Sequence, residues 1–448
     1  MFKKGLVALM LLCLGVLIYV PFAQAETKID YGAAFRLRQE NWDNLITLNT
    51  SNTGSAADRN FFRLRTNLWG KADFSKDLGI YLRLTNEMRY QDGPFRSKKN
   101  RDEFEEDELV IDNMYADAKN VFNLPVDVRI GRQDFLGPNT YGEGFLILDG
   151  TPADGSRTFY FNAAKATVKF NQNNSVDLLY ITDPKTDIYM PLLFPEVKRQ
   201  LTTSNEQGFV VYGRSKINDN LTIEPYYMYK TEKEFAPLNS KLKLNTVGAR
   251  VVAKAGTWNF GGEYAYQFGD YSNGTDRTGN GGYIFVGRKY ADLAMKPEFD
   301  LRMVYLSGDN PGTGKNEAWD PLWSRNPYWN ELLIYTLTTE QVKNGGAIPG
   351  YWSNMEILKA TVKMDLTANT KLALAYQYLW APEESGISNA LFSNNGKSRG
   401  SLPTAILTHN FSKNFDGMVQ FEYFIPGNFY KSAADNASFF RWQLQYRL

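Results

Sequence analysis

The chain has 448 residues, with 50 Lys and Arg against 49 Asp and Glu, and 15% of it is aromatic. A mean hydropathy of −0.41 is too polar for a bundle of membrane-spanning helices, and the near-neutral charge singles out no partner class, nucleic acid included. Gly (36) is twice as common as Pro (18), and Tyr (27) and Phe (29) are abundant, a mixture that suits strands and turns.

Lys3 and Lys4 precede an apolar run over 5–22, and Ala23-Gln24-Ala25 follows as a small-x-small site. This predicts a secretory signal peptide at 1–25 and one domain over 26–448. The run is also long enough for an uncleaved anchor, but Pro21 and the cleavage-type triplet stand directly after it. Cys13, the only cysteine, lies inside the run, so no disulfide or cysteine-based metal site is expected in the mature chain.

Alternation of apolar and polar residues then recurs almost to the end. In "IDYGAAFRLRQE", Ile29, Tyr31, Ala33, Phe35 and Leu37 share one face and Asp30, Arg36, Arg38 and Glu40 the other. Phe62, Leu64 and Leu68 oppose Arg63, Arg65 and Lys71; Leu82, Leu84 and Met88 oppose Arg83, Glu87 and Arg89. Trp258, Phe260, Tyr264, Tyr266 and Phe268 oppose Asn259, Glu263 and Gln267. Side chains alternate across a strand with period two. The pattern predicts about 18 strands, near 29–41, 59–73, 78–91, 107–120, 125–134, 156–170, 174–183, 206–217, 220–232, 243–255, 257–270, 280–293, 297–308, 353–367, 370–382, 398–411, 415–426 and 434–448.

The expected connections alternate as well. Short ones, such as "SKD" at 75–77 and "NQNN" at 171–174, take turns with long ones at 42–58, 92–106, 135–155, 184–205, 271–279, 309–352 and 383–397. Short periplasmic turns and long outer loops give this rhythm in an all-β, up-and-down antiparallel transmembrane β-barrel, whose apolar face meets lipid. The last strand, "SFFRWQLQYRL", fits: Phe440, Trp442, Leu444, Tyr446 and Leu448 alternate with Arg441, Gln443, Gln445 and Arg447. A terminal strand of this kind is also expected to engage the barrel-assembly machinery. The other assignment of these faces, a secreted soluble β protein, gives no reason for the loop rhythm or for aromatics gathered at strand ends.

In a barrel this wide the polar face lines an aqueous lumen. The expected conducting cations are Arg36, Arg38, Arg63, Arg65, Arg83, Arg89, Arg129, Arg250, Arg302 and Arg441, joined by Lys71, Arg214, Lys254, Lys359, Lys363 and Arg447. The expected lumen acids are Glu40, Glu87, Glu224, Glu263, Asp300 and Glu422, with Asp30, Asp177 and Asp365. Cations outnumber acids by about two to one, which favours anions. Pairing between neighbouring strands, stiffening the wall, is the alternative role for the same charges. The Gly- and Pro-rich segment 134–155 is either an outer loop or a constriction folded into the lumen. The aromatic 309–352 is expected to pack as a lid, and "RDEFEEDE" at 101–108 to be a solvated loop end or a cation bridge to lipopolysaccharide.

At "VRIGRQ", "GSRTF", "FRLRQE", "FRLRTN", "WDPLW" and "YFIPGNFY" the chain resembles the alginate export family of outer-membrane porins. The resemblance implies an 18-stranded barrel with an arginine-rich conduit for a polyuronate. Tyr160 stands where it implies an acid after Arg157-Thr158-Phe159.

Catalytic chemistry is not apparent. "GDNPGTGK" at 308–315 lacks the phosphate-loop spacing, His409 is the only histidine, and there is no haem-attachment pattern, so no cofactor, no metal and no enzymatic activity are expected. The expectation is a passive outer-membrane conduit for an anionic saccharide, alginate-like, or for small anions. The alternatives are a general diffusion porin, a scaffold or sheath around a partner protein, and, more remotely, a barrel enzyme. Expected partners are outer-membrane lipid and lipopolysaccharide, the anionic solute, the assembly machinery and a periplasmic export partner, with the barrel a monomer.

Overall fold

The structure is a computed structural model that describes residues 27–45, 48–50, 58–92, 104–148, 160–191, 193–194, 202, 204–233, 240–324, 353–386 and 391–448. The expectations on 1–26, on "GSRTF" and on 325–352 lie outside the described residues.

Among the described residues, twenty strands follow in chain order. They are β1 (Lys28–Asp43), β2 (Arg59–Asp73), β3 (Leu78–Asp92), β4 (Glu105–Ala118), β5 (Val126–Gln133), β6 (Ile147–Leu148), β7 (Phe161–Lys169), β8 (Asn174–Asp183), β9 (Glu206–Asn218) and β10 (Leu221–Glu232). Then come β11 (Leu242–Ala255), β12 (Trp258–Tyr271), β13 (Asp276–Lys289), β14 (Glu298–Leu306), β15 (Trp323–Ser324), β16 (Met355–Asp365), β17 (Thr370–Trp380), β18 (Ser398–Asn410), β19 (Phe415–Pro426) and β20 (Ala437–Arg447).

All but β6 and β15 form one 18-stranded sheet of antiparallel neighbours. It closes where β1 pairs with β20, from Ala34 opposite Arg447 to Asp43 opposite Ser438. Closure leaves no open sheet edge, which a wall in hydrocarbon requires. The faces are those the alternation predicts. Tyr31, Phe35, Tyr264, Tyr266, Phe268, Phe299, Leu301 and Tyr446 are exposed, whereas Arg38, Glu40, Glu87, Glu263 and Arg441 are buried.

Most strand boundaries fall within three residues of expectation, and two strands differ by more. The strand expected at 280–293 is Asp276–Lys289, so the connection expected at 271–279 shrinks to 272–275. Alternation is hidden there because Gly279 and Gly281 take inward positions. They are small for a reason: a Cβ on Gly281 would lie 2.8 Å from the Trp319 indole. The strand expected to begin at 156 begins at Phe161.

The interior also departs from a water-filled tube. Toward the long-loop end the inward positions are apolar, among them Leu179, Val210, Met228, Leu244, Val304, Ile357 and Leu379. Segment 134–148 folds in against them, placing Phe135, Tyr141, Phe145, Leu146 and Ile147 in the same buried core. Of the two roles weighed for this segment, infolding is the one adopted. From the other long connection, Trp319, Leu322 and Trp323 enter the core as well, and β15 pairs with β6 in parallel. Gly208 makes room for Trp323, whose ring would clash with any Cβ there. Strands such as β14 are thus polar inside at one end (Asp300, Arg302) and apolar inside at the other (Val304, Leu306).

Candidate functional site in the lumen wall

The site is built by register. On the wall β20–β1–β2–β3, pairing sets Arg36 opposite Arg65, Arg38 opposite Arg63, and Arg63 opposite Arg89. Like charges directly opposite are destabilising. Two carboxylates intervene. Glu40 Oε1 accepts from Arg38 Nη1 at 3.2 Å, Arg63 Nη1 at 3.0 Å and Arg441 Nη2 at 2.7 Å. Glu87 Oε1 accepts from Arg63 Nε at 3.2 Å and Arg89 Nε at 3.3 Å, and its Oε2 lies 4.0 Å from Arg36 Nη2. Gln443 accepts from Arg38 Nη2 at 2.7 Å. Glu40 and Arg441 are fully buried, and Arg36, Arg38, Arg63, Arg65 and Glu87 nearly so. These expected lumen residues are brought together, but inside the wall rather than on a wetted face.

Other guanidinium groups, on β3 and on strands beyond it, keep contact with solvent. Arg83 on β3 donates to Asp112 and, at 2.9 Å, to Asp134. Arg129 on β5 forms a two-point bridge to Asp117 at 2.7 and 2.8 Å and covers the Tyr115 ring at 4.0 Å. Tyr115 in turn stacks on Tyr81, and Tyr81 on Trp69, a row on the wall's inner face where sequence pattern suggested aromatics for the lipid boundary. Arg214 on β9 donates to Asp177 at 2.6 Å and lies 5.0 Å from the rings of both Tyr141 and Tyr212.

Across β9–β14 the wall carries a tyrosine–carboxylate relay. Tyr212 and Arg250 both donate to Glu224 Oε2 at 2.9 Å. Tyr226 and Tyr283 donate to Glu263 at 2.9 and 3.0 Å, and Arg250 Nε donates to Tyr283 Oη at 3.2 Å. Arg302, 3.8 Å from Asp300, reaches the infolded segment, where both its terminal nitrogens meet the Glu143 carboxylate. Glu422 is buried on β19, accepting from Gln420. Of the remaining expected lumen residues, Asp30, Lys363 and Arg447 are well exposed at the short-turn end, Arg447 paired with Asp416.

Three groups escaped the sequence reading. Lys230 is buried among Glu206, Glu232 and Asp320, 2.6 Å from Glu232. Arg132, within the "VRIGRQ" segment, donates to the Ile111 carbonyl, Asn162 and Asp187, the last at 2.6 Å, and covers the Tyr160 ring at 3.9 Å. Tyr160 donates to Asp187 at 2.6 Å. Burial opposes ionisation of Asp187, yet the Arg132 and Tyr160 hydrogen bonds hold its carboxyl below the ordinary range. The third is Glu143, whose only sequence signal is the flanking pair Gly142 and Gly144. On the infolded segment, burial and the neighbouring Asp177 carboxylate push the Tyr141 phenol well up, so it stays a donor. His409 binds Thr370 through Nδ1 at 2.8 Å beside a turn.

Known structures share the fold. Pseudomonas aeruginosa OccK2 (OpdF), solved in complex with glucuronate, matches at TM-score 0.54 and 10% identity over 94% of this chain and 98% of its own. Acinetobacter baumannii OccAB2 matches at TM-score 0.59 and 11% identity, covering 94% and 98%. Pseudomonas aeruginosa OpdO gives 0.57 and 13%, covering 94% and 97%. No curated protein sequence matches the chain. The profile of the family described as alginate export matches residues 195–443, more than half of the chain and inclusive of "WDPLW" and "YFIPGNFY". The chain belongs to the alginate export family and is an outer-membrane porin of the 18-stranded barrel fold.

Proposed function

We propose that this porin is a passive conduit for an anionic saccharide of the uronate type. One observation carries the reading. Arg83, Arg129, Arg214, Arg250 and Arg302 are spread over β3, β5, β9, β11 and β14, and each side chain keeps 16–29% exposure. Each is oriented by a carboxylate or tyrosine, so its planar fork is held ready for a second carboxylate. Several weak sites in series bind a carboxylate without holding it, as conduction needs. The buried cluster of Arg36, Arg38, Arg63, Arg65 and Arg441 adds positive potential behind that surface; Arg89 stands at its margin. The capture of glucuronate by a barrel of the same fold supports the solute class. The packed segments at the long-loop end occupy space that a sheath around a partner would need.

The test is the reversal potential of the purified chain in planar bilayers under a KCl gradient, with glucuronate as the second anion. Anion preference and glucuronate current are expected, and Arg83→Gln with Arg129→Gln should reduce the preference. An unselective channel, or one unaffected by glucuronate, overturns the reading.

A further inference from the structure

The infolded segment presents one carboxylate in an unusual setting. Gly142 and Gly144 both have left-handed backbone, at φ of 56° and 77°. A Cβ on Gly142 would lie 2.9 Å from Arg250 Cδ and 3.2 Å from Glu263 Oε2, so the tip fits between these walls only as glycine. The turn projects Glu143 between two strands three apart in the wall. Its Oε1 lies 3.4 Å from Arg302 Nη2 and 3.9 Å from Arg250 Nη2, while Oε2 meets Arg302 Nη1.

The Glu143 contact differs from the Glu40 cluster in how it is held. Glu40 is sealed, whereas the Glu143 side chain keeps 30% exposure. The backbone around it is fixed: Tyr141 donates to Asp177, and Phe145 stacks on Trp319 at 5.0 Å. Rotation of the Glu143 side chain away from the arginines therefore requires no undocking of its segment. The receiving arginines are fixed as well, Arg250 by Glu224 and Tyr283, Arg302 over the Phe285 ring at 4.9 Å. Two oriented guanidinium groups around one wetted, two-point carboxylate make a carboxylate-binding site that the protein fills itself.

We propose that Arg250 and Arg302 form a binding site for the carboxylate of a permeating acidic saccharide, and that Glu143 is a built-in competitor that holds this site until the solute displaces it. This rests on the reading of the channel as an anion conduit. The competitor prevents tight capture: a solute carboxylate gains only the difference between its own contacts and those of Glu143, which keeps the step shallow.

The experiment is block of KCl current through the full barrel by glucuronate, with glucose as the uncharged control. Glu143→Gln should lower the half-blocking glucuronate concentration several-fold and leave glucose unchanged. Adding Arg302→Gln should abolish that gain. Unchanged glucuronate block in Glu143→Gln, an equal gain for glucose, or a gain that survives Arg302→Gln each overturns the proposal. If Glu143→Gln does not assemble, Arg302→Gln alone decides, with weakened block expected and unchanged block fatal. Intact anion preference with an inert Glu143→Gln removes this inference alone; absent preference in the unaltered channel removes the conduit reading as well.

Discussion

The two sides of the lumen solve the same electrostatic problem in different ways. On β20–β1–β2–β3, arginines that oppose one another are reconciled by Glu40 and Glu87 from the same wall, out of water. On β9–β14, Arg250 and Arg302 are met in part by Glu143, which arrives on a connection and remains wetted. The first arrangement is stiff because removing any member strands a buried charge. The second is open to water and, on the conduit proposal, exchangeable with solute. A conduit needs both, a wall that does not yield and a surface that does.

The comparison is broken most strongly at Glu40. Glu40→Gln leaves Arg38, Arg63 and Arg441 without their shared anion and should cost about 3–5 kcal/mol, as for other buried pairs deprived of one partner. It is read as a lowered midpoint of the heat-induced electrophoretic mobility shift in detergent; Glu143→Gln should hardly move that midpoint. Equal shifts in the two variants would erase the distinction between the walls.

Trp323→Ala is next. Its ring fills the hollow over Gly208 within the core that docks 134–148. Loss of a buried Trp of this kind costs about 3–5 kcal/mol, but here it falls on segment docking rather than on the barrel ladder. Larger and noisier single-channel conductance with a nearly unchanged unfolding midpoint is expected. A collapse of the barrel would show that the two tiers are one unit.

The smallest effect concerns the join between β5 and β7, where Arg132, Tyr160 and Asp187 meet. Because the Asp187 carboxyl is held below its ordinary range, its contribution is complete above the unfolded value of about 3.9 and is lost as pH falls through the folded one. Protection of 184–191 from acid protease should therefore persist at pH 5 and fail in strong acid. Asp187→Asn should weaken it by about 1–3 kcal/mol at neutral pH and flatten that acid dependence. Acid-independent protection in the unaltered chain would contradict the assignment.

Period-two alternation was sufficient to give the closed barrel, its 18 strands and the outward set from Ile29 to Leu448, because lipid imposes one simple rule on one face of every strand. The rule fails where local composition serves a distant partner, as at Gly279 and Gly281, whose smallness makes sense only once Ala318 and Trp319 lie over them. Alternation also names the Arg and Glu that stand opposite the apolar face, since period two needs no knowledge of neighbours. Tertiary structure alone decided which arginines are sealed and which are wetted. That division depends on register, which sets Arg36 against Arg65, and on 134–148 turning inward, which brings Glu143 to Arg302 across 159 positions of sequence. Neither has a local signal, because the free energy of a charge is fixed by what surrounds it in space and not by its neighbours along the chain.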